Sequence, residues 1–217
     1  MKIACVGYRD WALKIYDAII NCVDYPILMI RSKNQYSDQL IHDIKPDCIL
    51  FYGWSWKINP TIITNYRCIM LHPSPLPNYR GGSPIQNQII RGEKESAVTL
   101  FLMNEGLDTG DIIAQKKISL EGHLDEIFAR ITQTGIELTL QILKTTALPT
   151  IKQTEANATF YKRLTPADSE ITLKELESVS GEYLYNKIRM LEDPYPNAFI
   201  KTADGRKLLI KRAELAD

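Results

Sequence analysis

Four short apolar runs, each followed by a segment of different character, are the feature that most constrains the fold of this chain. The runs span residues 2–6, 26–30, 47–52 and 67–71. After the first run, apolar residues from Trp11 to Cys22 recur at helical spacing, and Leu40 to Ile44 indicate a shorter helix after the second. Strands that alternate with helices assemble into a parallel sheet covered on both faces. The sequence therefore predicts a doubly wound, mostly parallel α/β fold of the Rossmann-like kind.

The remainder of the first 150 residues continues this pattern. Ser83 is a suitable N-cap, and Pro84 a suitable first residue, for a helix that reaches about residue 91. Further strands are predicted at 97–103 and 112–118, and a long helix at 123–144. We therefore assign residues 1–150 to one α/β domain.

The composition changes after Pro149. Residues 150–171 are mixed and polar, residues 182–191 have the pattern of an amphipathic helix, and Asp204-Gly205 marks the turn of a β-hairpin. A lone hairpin is only marginally stable in water, so this one must pack on the helix, on the main domain or on another chain. We predict a small C-terminal subdomain over residues 151–217 that contains the helix and the hairpin.

Charge and composition exclude several classes of protein. Lys and Arg number 26 and Asp and Glu also number 26, so the formal net charge is zero and a strong electrostatic footprint for nucleic acid is not expected. No apolar run approaches the ~18–20 residues of a membrane helix, and Arg9 and Asp10 interrupt any secretory signal. Four cysteines without CxxC spacing indicate small buried side chains and no metal site. We expect a cytoplasmic protein without membrane, metal or nucleic-acid partners.

A histidine and an aspartate carry the strongest functional signal. His72 follows the fourth predicted strand within LHPSPLPNYRGG (71–82), and Asp108 lies 36 positions later within LDTGD (107–111). Ligands of doubly wound sheets bind beyond the carboxyl ends of the strands, where His72 and Gly53 both fall. An imidazole titrates near neutral pH, and a carboxylate can hold its tautomer and stabilise its cation. The alternative is a loop histidine and an unrelated turn.

The segments HPSPLP (72–77), YRGG (79–82) and LDTGD (107–111), with Pro84 and Gln86 between them, resemble the folate-dependent formyltransferases. That family includes methionyl-tRNA formyltransferase, glycinamide ribonucleotide formyltransferase and the amino-sugar N-formyltransferases. The resemblance implies that residues 1–150 are a formyltransferase catalytic domain whose formyl donor is 10-formyltetrahydrofolate.

The C-terminal part resembles one branch of the family. ATFYKRLTPAD (158–168) and IRMLEDPYPNAF (188–199) are similar to the segments that follow the catalytic domain in amino-sugar members. They are especially similar to the formyltransferase half of the bacterial enzyme that acts on UDP-4-amino-4-deoxyarabinose. In those enzymes this region helps to form a dimer, so the resemblance implies a homodimer.

The resemblance implies a catalytic role for His72 and Asp108 and draws attention to Met70. The family pattern is Asn-x-His, and here Met70 occupies the Asn position. The family Asn donates its amide to the formyl oxygen, whereas Met has no donor, and losing one such donor typically costs about 10²–10³ in rate. Four groups are alternatives for the missing donor: a His72 imidazolium, a backbone N–H, a water molecule or the amide of Asn104.

The resemblance also implies binding residues. On the donor side these are Tyr52, Gly53, Leu107 and Asp108; on the acceptor side they are Ser74, Arg80, Gly81, Gly82, Gln86, Lys162 and Arg163. Some of them have a structural alternative. The Arg80-Gly81-Gly82 segment can be a turn ordered by an Arg fork, and Lys162-Arg163 can be a solvated basic pair rather than a diphosphate site.

Three functions follow as hypotheses. The first is an N-formyltransferase that acts on the amine of a nucleotide-linked amino sugar, such as a 4-amino-4,6-dideoxyhexose. The second is a formyltransferase-like protein that binds folate or sugar nucleotide, with catalysis impaired by Met70. The third, methionyl-tRNA formyltransferase, is favoured least, because only about 50 residues follow Pro166 and no charge-rich insertion for tRNA is evident.

Overall fold

The computed structural model describes residues 1–145 and 148–216. Its strands are β1 (Ile3–Val6), β2 (Ile27–Ile30), β3 (Cys48–Tyr52), β4 (Arg67–His72), β5 (Arg80–Gly81), β6 (Glu95–Leu102), β7 (Ile112–Ser119), β8 (Phe160–Tyr161), β9 (Ala198–Lys201) and β10 (Lys207–Ile210). Its α-helices are α1 (Asp10–Ile20), α2 (Asp38–Ile44), α3 (Pro60–Asn65), α4 (Pro84–Ile89), α5 (Leu124–Leu143), α6 (Leu173–Ser178) and α7 (Gly181–Arg189).

A six-stranded sheet in the order β2-β1-β3-β4-β6-β7 organises the chain. β1 to β4 are parallel, whereas β6 and β7 are antiparallel to their neighbours. The mostly parallel α/β fold predicted from the apolar runs is confirmed. β7 can be antiparallel to β6 because the two strands are joined directly by a loop at 103–111 rather than by a crossover helix.

The two faces of the sheet bury alternate residues of each central strand. Cys5, Leu50 and Leu71 pack with α1 and α5 in one core. Val6, Phe51 and Cys68 pack with α2 and α3 in a second core on the other face. Burial on both faces explains why the parallel strands read as continuous apolar runs rather than alternating ones.

Two helices, α3 and α6, were not predicted from the sequence. They are short, and N-terminal capping interactions rather than a helical period define them. α3 begins where the side chain of Asn59 accepts a hydrogen bond from the N–H of Thr61, with Pro60 at its first position. α6 begins at a capping box formed by Thr172 and Glu175. Each has only six residues, which is too few for a clear helical period.

The C-terminal residues contain the predicted helix, α7, and the predicted hairpin, β9–β10. Ile188, Leu191 and Ala198 are buried in the same core as α1 and α5, so this region packs on the main α/β unit. The division into two domains at residue 150 stays a prediction. Across residues 1–145 and 148–216, no helix combines the length and the apolar character that a bilayer crossing requires.

Candidate active site

A cleft of about 1110 Å³ opens at the carboxyl ends of β1, β3 and β4. Gly53, Met70, His72 and Asp108 all line it. Its volume slightly exceeds the range of about 300–1,000 Å³ that is usual for small-molecule sites. Its position agrees with the rule that parallel α/β sheets bind ligands beyond their strand ends.

His72 is buried at the end of β4, with 6% of its surface exposed. Its Nε2 lies 2.8 Å from the carbonyl oxygen of Tyr79, and its Nδ1 lies 3.7 Å from Oδ2 of Asp108. Because a carbonyl only accepts hydrogen bonds, Nε2 carries the proton of the neutral ring, and Nδ1 has the free lone pair. The carbonyl of Tyr79 therefore sets the tautomer, whereas the sequence led us to expect that Asp108 would.

Tyr79 holds its carbonyl in place through an unusual backbone conformation. Its φ is 60°, in the left-handed region, and its N–H donates to Oγ1 of Thr159 at 2.8 Å. Its hydroxyl donates to Oε1 of Glu93 at 2.7 Å. Burial raises the pKa of the Tyr79 phenol, so the hydroxyl keeps the proton that this bond uses. The residue that orients His72 is thus anchored at both its backbone and its side chain.

Asp108 reaches His72 because the loop between β6 and β7 folds back along β4. Leu102, the last residue of β6, pairs with Ile69, three positions before His72. The N–H of Gly81 donates to Oδ2 of Asp108 at 2.8 Å, and Nε2 of Gln153 donates to its backbone oxygen at 2.9 Å. These two bonds fix a carboxylate that is only 6% exposed. The contact of Gln153 with Asp108 was not predicted from the sequence, because Gln153 belongs to no recognisable motif.

Arg80 belongs to an internal network rather than to the cleft. The side chain is 5% exposed, and its guanidinium donates to Oε1 of Gln153 and to both carboxylate oxygens of Glu155. The Nε, Nη1 and Nη2 atoms of Arg80 all donate to residues of the 151–157 segment. The geometry therefore favours the alternative in which Arg80 orders the loop. Its guanidinium cannot also contact a ligand in the cleft.

Gly81 and Gly82 are glycines because another segment of the same chain lies against them. β5 pairs in parallel with β8. A Cβ on Gly81 would stand 2.3 Å from the carbonyl oxygen of Tyr161, and one on Gly82 would stand 2.5 Å from the backbone nitrogen and Cα of Arg163. The close approach is made by the chain itself, so the turn alternative explains both glycines. Gly81 still contributes its N–H to Asp108.

Two other predicted contacts point into the interior. Ser74 is fully buried, and its hydroxyl donates to the carbonyl of Asn78 at 2.8 Å. The ring of Tyr52 stacks on Tyr16 with centroids 5.3 Å apart, and its hydroxyl lies 3.1 Å from Oγ1 of Thr139. Neither side chain is accessible to a ligand. This outcome follows from strand periodicity, which turns Tyr52 toward the face that carries α1 and α5.

The remaining predicted residues do line the cleft. Gln86 is 3% exposed, and within the described residues its Nε2 has no hydrogen-bond partner. Leu107 is exposed, as are Lys162 and Arg163 just after β8. The predicted cap Ser83 behaves differently: it adopts φ 49°, and its hydroxyl accepts from the N–H of Leu164 instead of capping α4. Ser83 thus joins the helix to the segment that carries the two cations.

Trp54 and Trp56 form one wall of the cleft, with ring centroids 4.7 Å apart. Trp54 is 8% exposed and Trp56 is 39% exposed. The indole Nε1 of Trp54 is buried, and no acceptor for it exists in the parts of the chain that the structure describes. Met70 lies on the same face of β4 as His72, and its side chain completes this wall.

The cleft does not contain a constellation of metal ligands. Over residues 1–145 and 148–216, His, Cys, Asp and Glu side chains form no group of three or more that could hold an ion.

Known proteins with similar sequences place this chain among its relatives. A family model described as formyl transferase matches residues 24–144. Methionyl-tRNA formyltransferase from Campylobacter curvus is 36% identical over 168 residues, which are 76% of this chain and 54% of that protein. The corresponding protein from Sulfurimonas denitrificans is 32% identical over 86% of this chain and 59% of its own length. The chain thus spans a little over half the length of these relatives.

Solved structures share the fold over the whole chain. A methionyl-tRNA formyltransferase from Clostridium thermocellum is 33% identical, with a TM-score of 0.89 over 100% of this chain and 94% of that one. A 4-N formyltransferase from Francisella tularensis is 19% identical, with a TM-score of 0.81 over 100% and 98%, a likeness in fold alone. The motif resemblance, the cleft geometry and the match over residues 24–144 lead to one conclusion: this chain belongs to the formyl transferase family.

Proposed function

We propose that this protein moves a formyl group from 10-formyltetrahydrofolate to the amine of a nucleotide-linked amino sugar, such as a 4-amino-4,6-dideoxyhexose. The observation that carries the proposal is the buried His72–Asp108 pair at the edge of the cleft. Membership of the formyl transferase family supplies the class of reaction.

The donor side fits a flat, partly apolar carrier. Trp54, Trp56 and Met70 provide an apolar wall, and aromatic faces favour stacking of a ring such as a pterin. Gly53, which directly precedes Trp54 in the chain, lines the cleft, and so does Leu107 in the loop that carries Asp108. The buried Nε1 of Trp54 is a donor without an acceptor among the described residues. When bound there, 10-formyltetrahydrofolate supplies the carbonyl carbon that the amine attacks.

His72 is the residue that would move protons. Its Nδ1 has the free lone pair and lines the cleft, so it can take a proton from the acceptor ammonium and later return one to the leaving folate nitrogen. Once Nδ1 is protonated, the imidazolium faces the Asp108 carboxylate at 3.7 Å. Asp108 would thus stabilise the cation while Tyr79 keeps the ring oriented.

The acceptor side is where Lys162 and Arg163 stand exposed, next to Gly82 and facing the cleft. Two cations on consecutive residues suit a diphosphate. Structures that share this fold over the whole chain include a sugar N-formyltransferase from Shewanella, at 19% identity. The zero net charge of the chain supports a small acceptor over a polyanion.

Two other functions have specific support. Methionyl-tRNA as acceptor is favoured by the identity to methionyl-tRNA formyltransferases, which reaches 36%. A binding protein with impaired transfer is favoured by Met70, since its thioether cannot donate a hydrogen bond to the formyl oxygen. All three hypotheses share the cleft and differ in the acceptor or in the rate.

The deciding experiment incubates the protein with 10-formyltetrahydrofolate and separate acceptors, and measures tetrahydrofolate release together with formylated product. We expect turnover with an amino-sugar nucleotide and none with methionyl-tRNA. His72→Ala should abolish transfer while folate binding persists; full activity in that variant would remove His72 from the mechanism. Formylation of methionyl-tRNA alone would replace the proposed acceptor. Binding without turnover, with turnover appearing in Met70→Asn, would establish the binding-protein alternative.

We also propose that the protein is a homodimer joined through its C-terminal region. Leu208 and Leu209 of β10 are both more than half exposed, as is Leu173 at the start of α6. Neighbouring residues of a strand point to opposite sides, so β10 is uncovered on both. Sedimentation equilibrium should give a dimer that Leu208→Asp weakens; a monomer at high concentration would contradict the proposal.

A further inference from the structure

Arg9 is a cation of the cleft to which the proposed chemistry assigns no role. It follows β1 and is the N-cap residue of α1. Its side-chain stem packs on the end of β3, because a Cβ built on Gly53 would lie 2.8 Å from its Cβ and 2.9 Å from its Cγ. The side chain is thereby held at the same edge of the sheet as His72, and it lines the cleft.

Two tyrosines position the guanidinium of Arg9. Its central carbon lies 4.9 Å from the ring centroid of Tyr8 and 5.8 Å from that of Tyr195. The Tyr195 ring is itself stacked on Phe128, with centroids 6.1 Å apart. Such contacts attract the cation through the aromatic faces, and they do not occupy its in-plane N–H groups. The side chain is therefore oriented while its donors stay free.

Within residues 1–145 and 148–216, Arg9 has no anionic partner. In the described part of the chain, no carboxylate lies within 4.0 Å of its guanidinium, and the guanidinium makes no hydrogen bond to a protein acceptor. Arg80 shows the contrast, because Gln153 and Glu155 take up its donors. Arg80 is thus structural, whereas Arg9 retains its charge and its donors for a ligand.

The charges around the cleft favour an anionic ligand. Four cations line it, namely Arg9, Lys57, Lys162 and Arg163, against the two carboxylates of Glu105 and Asp108. The chain as a whole is neutral, so this excess is local. A cleft lined by one sign of charge raises the local concentration of the opposite sign.

Arg9 and the cations that we assign to a diphosphate are positioned by different elements of the fold. β1 is two strands away from β4 in the sheet, which is about 10 Å at the usual strand spacing. Lys162 and Arg163 instead follow β8, and the backbone of Arg163 packs on Gly82, just after β5. One ligand could therefore present two separate anionic groups to two separate elements, with its amine near His72.

The two tyrosines that hold Arg9 belong to opposite sides of the cleft. Phe128, the support of Tyr195, packs against the core that carries α1 and α5. Trp54 and Met70, the wall proposed for the donor, belong to the core on the opposite face of the sheet. Tyr8, the nearer ring, packs instead on the core of the donor wall, with its centroid 4.8 Å from that of Trp56. Arg9 therefore lies between the donor wall and the side of the cleft that carries Tyr195.

We propose, building on the function proposed above, that Arg9 binds a carboxylate carried by the formyl acceptor, at the end remote from its diphosphate. A guanidinium binds a carboxylate through two parallel N–H···O bonds, which gives direction as well as affinity. The acceptor would then be an amino sugar that keeps a carboxylate at C6, in place of the neutral 4,6-dideoxyhexose given as the example above.

The test compares two probes that differ only at C6 of the sugar, UDP-glucuronic acid and UDP-glucose, by isothermal titration on the full chain. We expect the unaltered protein to bind the acid about five- to tenfold more tightly, as one partly exposed charge-assisted pair contributes. Arg9→Met should abolish the preference, and Arg9→Lys should keep part of it. Arg67→Met is the matched control, since Arg67 is exposed at the opposite end of β4.

The possible outcomes separate the role of Arg9 from the proposed acceptor class. Equal binding of both probes to the unaltered protein, or equal weakening of both by Arg9→Met, overturns the role of Arg9 and leaves the nucleotide-sugar proposal standing. If 5-formyltetrahydrofolate binding falls in Arg9→Met while the probe preference persists, Arg9 serves the glutamyl tail of the donor instead. If neither nucleotide binds while 5-formyltetrahydrofolate does, the proposed acceptor class fails, and the role of Arg9 fails with it.

Discussion

Replacing Asp108 with Asn removes one charge from the site and little else. The carboxylate Oδ2 lies 3.7 Å from Nδ1 of His72 and accepts a hydrogen bond from Gly81. An Asn side chain retains an oxygen that can accept that bond, so the loop should keep its conformation. What is lost is the attraction between the carboxylate and the imidazolium that forms when His72 takes a proton.

The magnitude follows from the distance. At 3.7 Å and an effective dielectric constant of about 20, two unit charges attract by about 4 kcal/mol. If the imidazolium is present in the rate-limiting transition state, kcat should fall by about 10³. KM should change little, because both substrates still meet the same surfaces. The thermal midpoint should stay close to that of the unaltered protein.

The assay is steady-state formyl transfer with whichever acceptor supports turnover in the experiment proposed above, and Asp111→Asn is its control. Asp111 belongs to the same LDTGD segment and carries the same charge, but the cleft-lining part of that segment ends at Asp108. We expect near-normal kcat from the control. A kcat for Asp108→Asn within about threefold of normal, which is under 1 kcal/mol, would refute the electrostatic role of this carboxylate.

Three other predictions follow from particular side chains. Met70→Asn restores an amide donor next to His72 and should raise kcat by up to about 10², measured in the same assay; an unchanged kcat would show that another group already stabilises the oxyanion. Burial raises the pKa of the Cys48 thiol to about 12, and it likewise raises the pKa values of Cys5 and Cys68. Because the thiolate is the reactive form, a thiol reagent at about pH 8 should label only the exposed Cys22 in the folded protein, and rapid labelling of two or more cysteines would contradict the packing. The Arg80 guanidinium lowers the pKa of Glu155 below its usual 4.5, so their pair stabilises the fold above that pH, and its contribution is lost as the pH falls through the lowered value. Urea titrations at a series of pH values around and below 4.5 should show that the free energy of unfolding falls less with decreasing pH in Glu155→Gln than in the unaltered protein. The same pH dependence in both proteins would exclude the pair as a source of stability.

Much of the fold could be read from local pattern. The four parallel strands were predicted within one or two residues, because burial on both faces makes them continuous apolar runs. The hairpin near residue 204 was predicted because Asp-Gly is a specific turn signal. α3 and α6 were missed, since their caps rather than their periodicity define them.

The candidate site was predicted less completely, because its residues meet through distant contacts. His72 could be placed at a strand end from sequence, and the motif pointed to Asp108. The role of the Tyr79 carbonyl could not be foreseen, since backbone groups carry no residue signature. Arg80 could not be classified either, because its partners Gln153 and Glu155 lie 73 and 75 positions away.

By itself, the sequence determined the family, the order of the strands along the chain and the position of His72 at the end of β4. These depend on side-chain period and on short motifs, which act over a few residues. Only the tertiary structure decided which nitrogen of His72 has no hydrogen bond to Tyr79 and which arginine is available to a ligand. It also decided which face of the sheet each wall of the cleft packs on. Those properties depend on contacts between segments far apart in the chain, and packing alone brings such segments together.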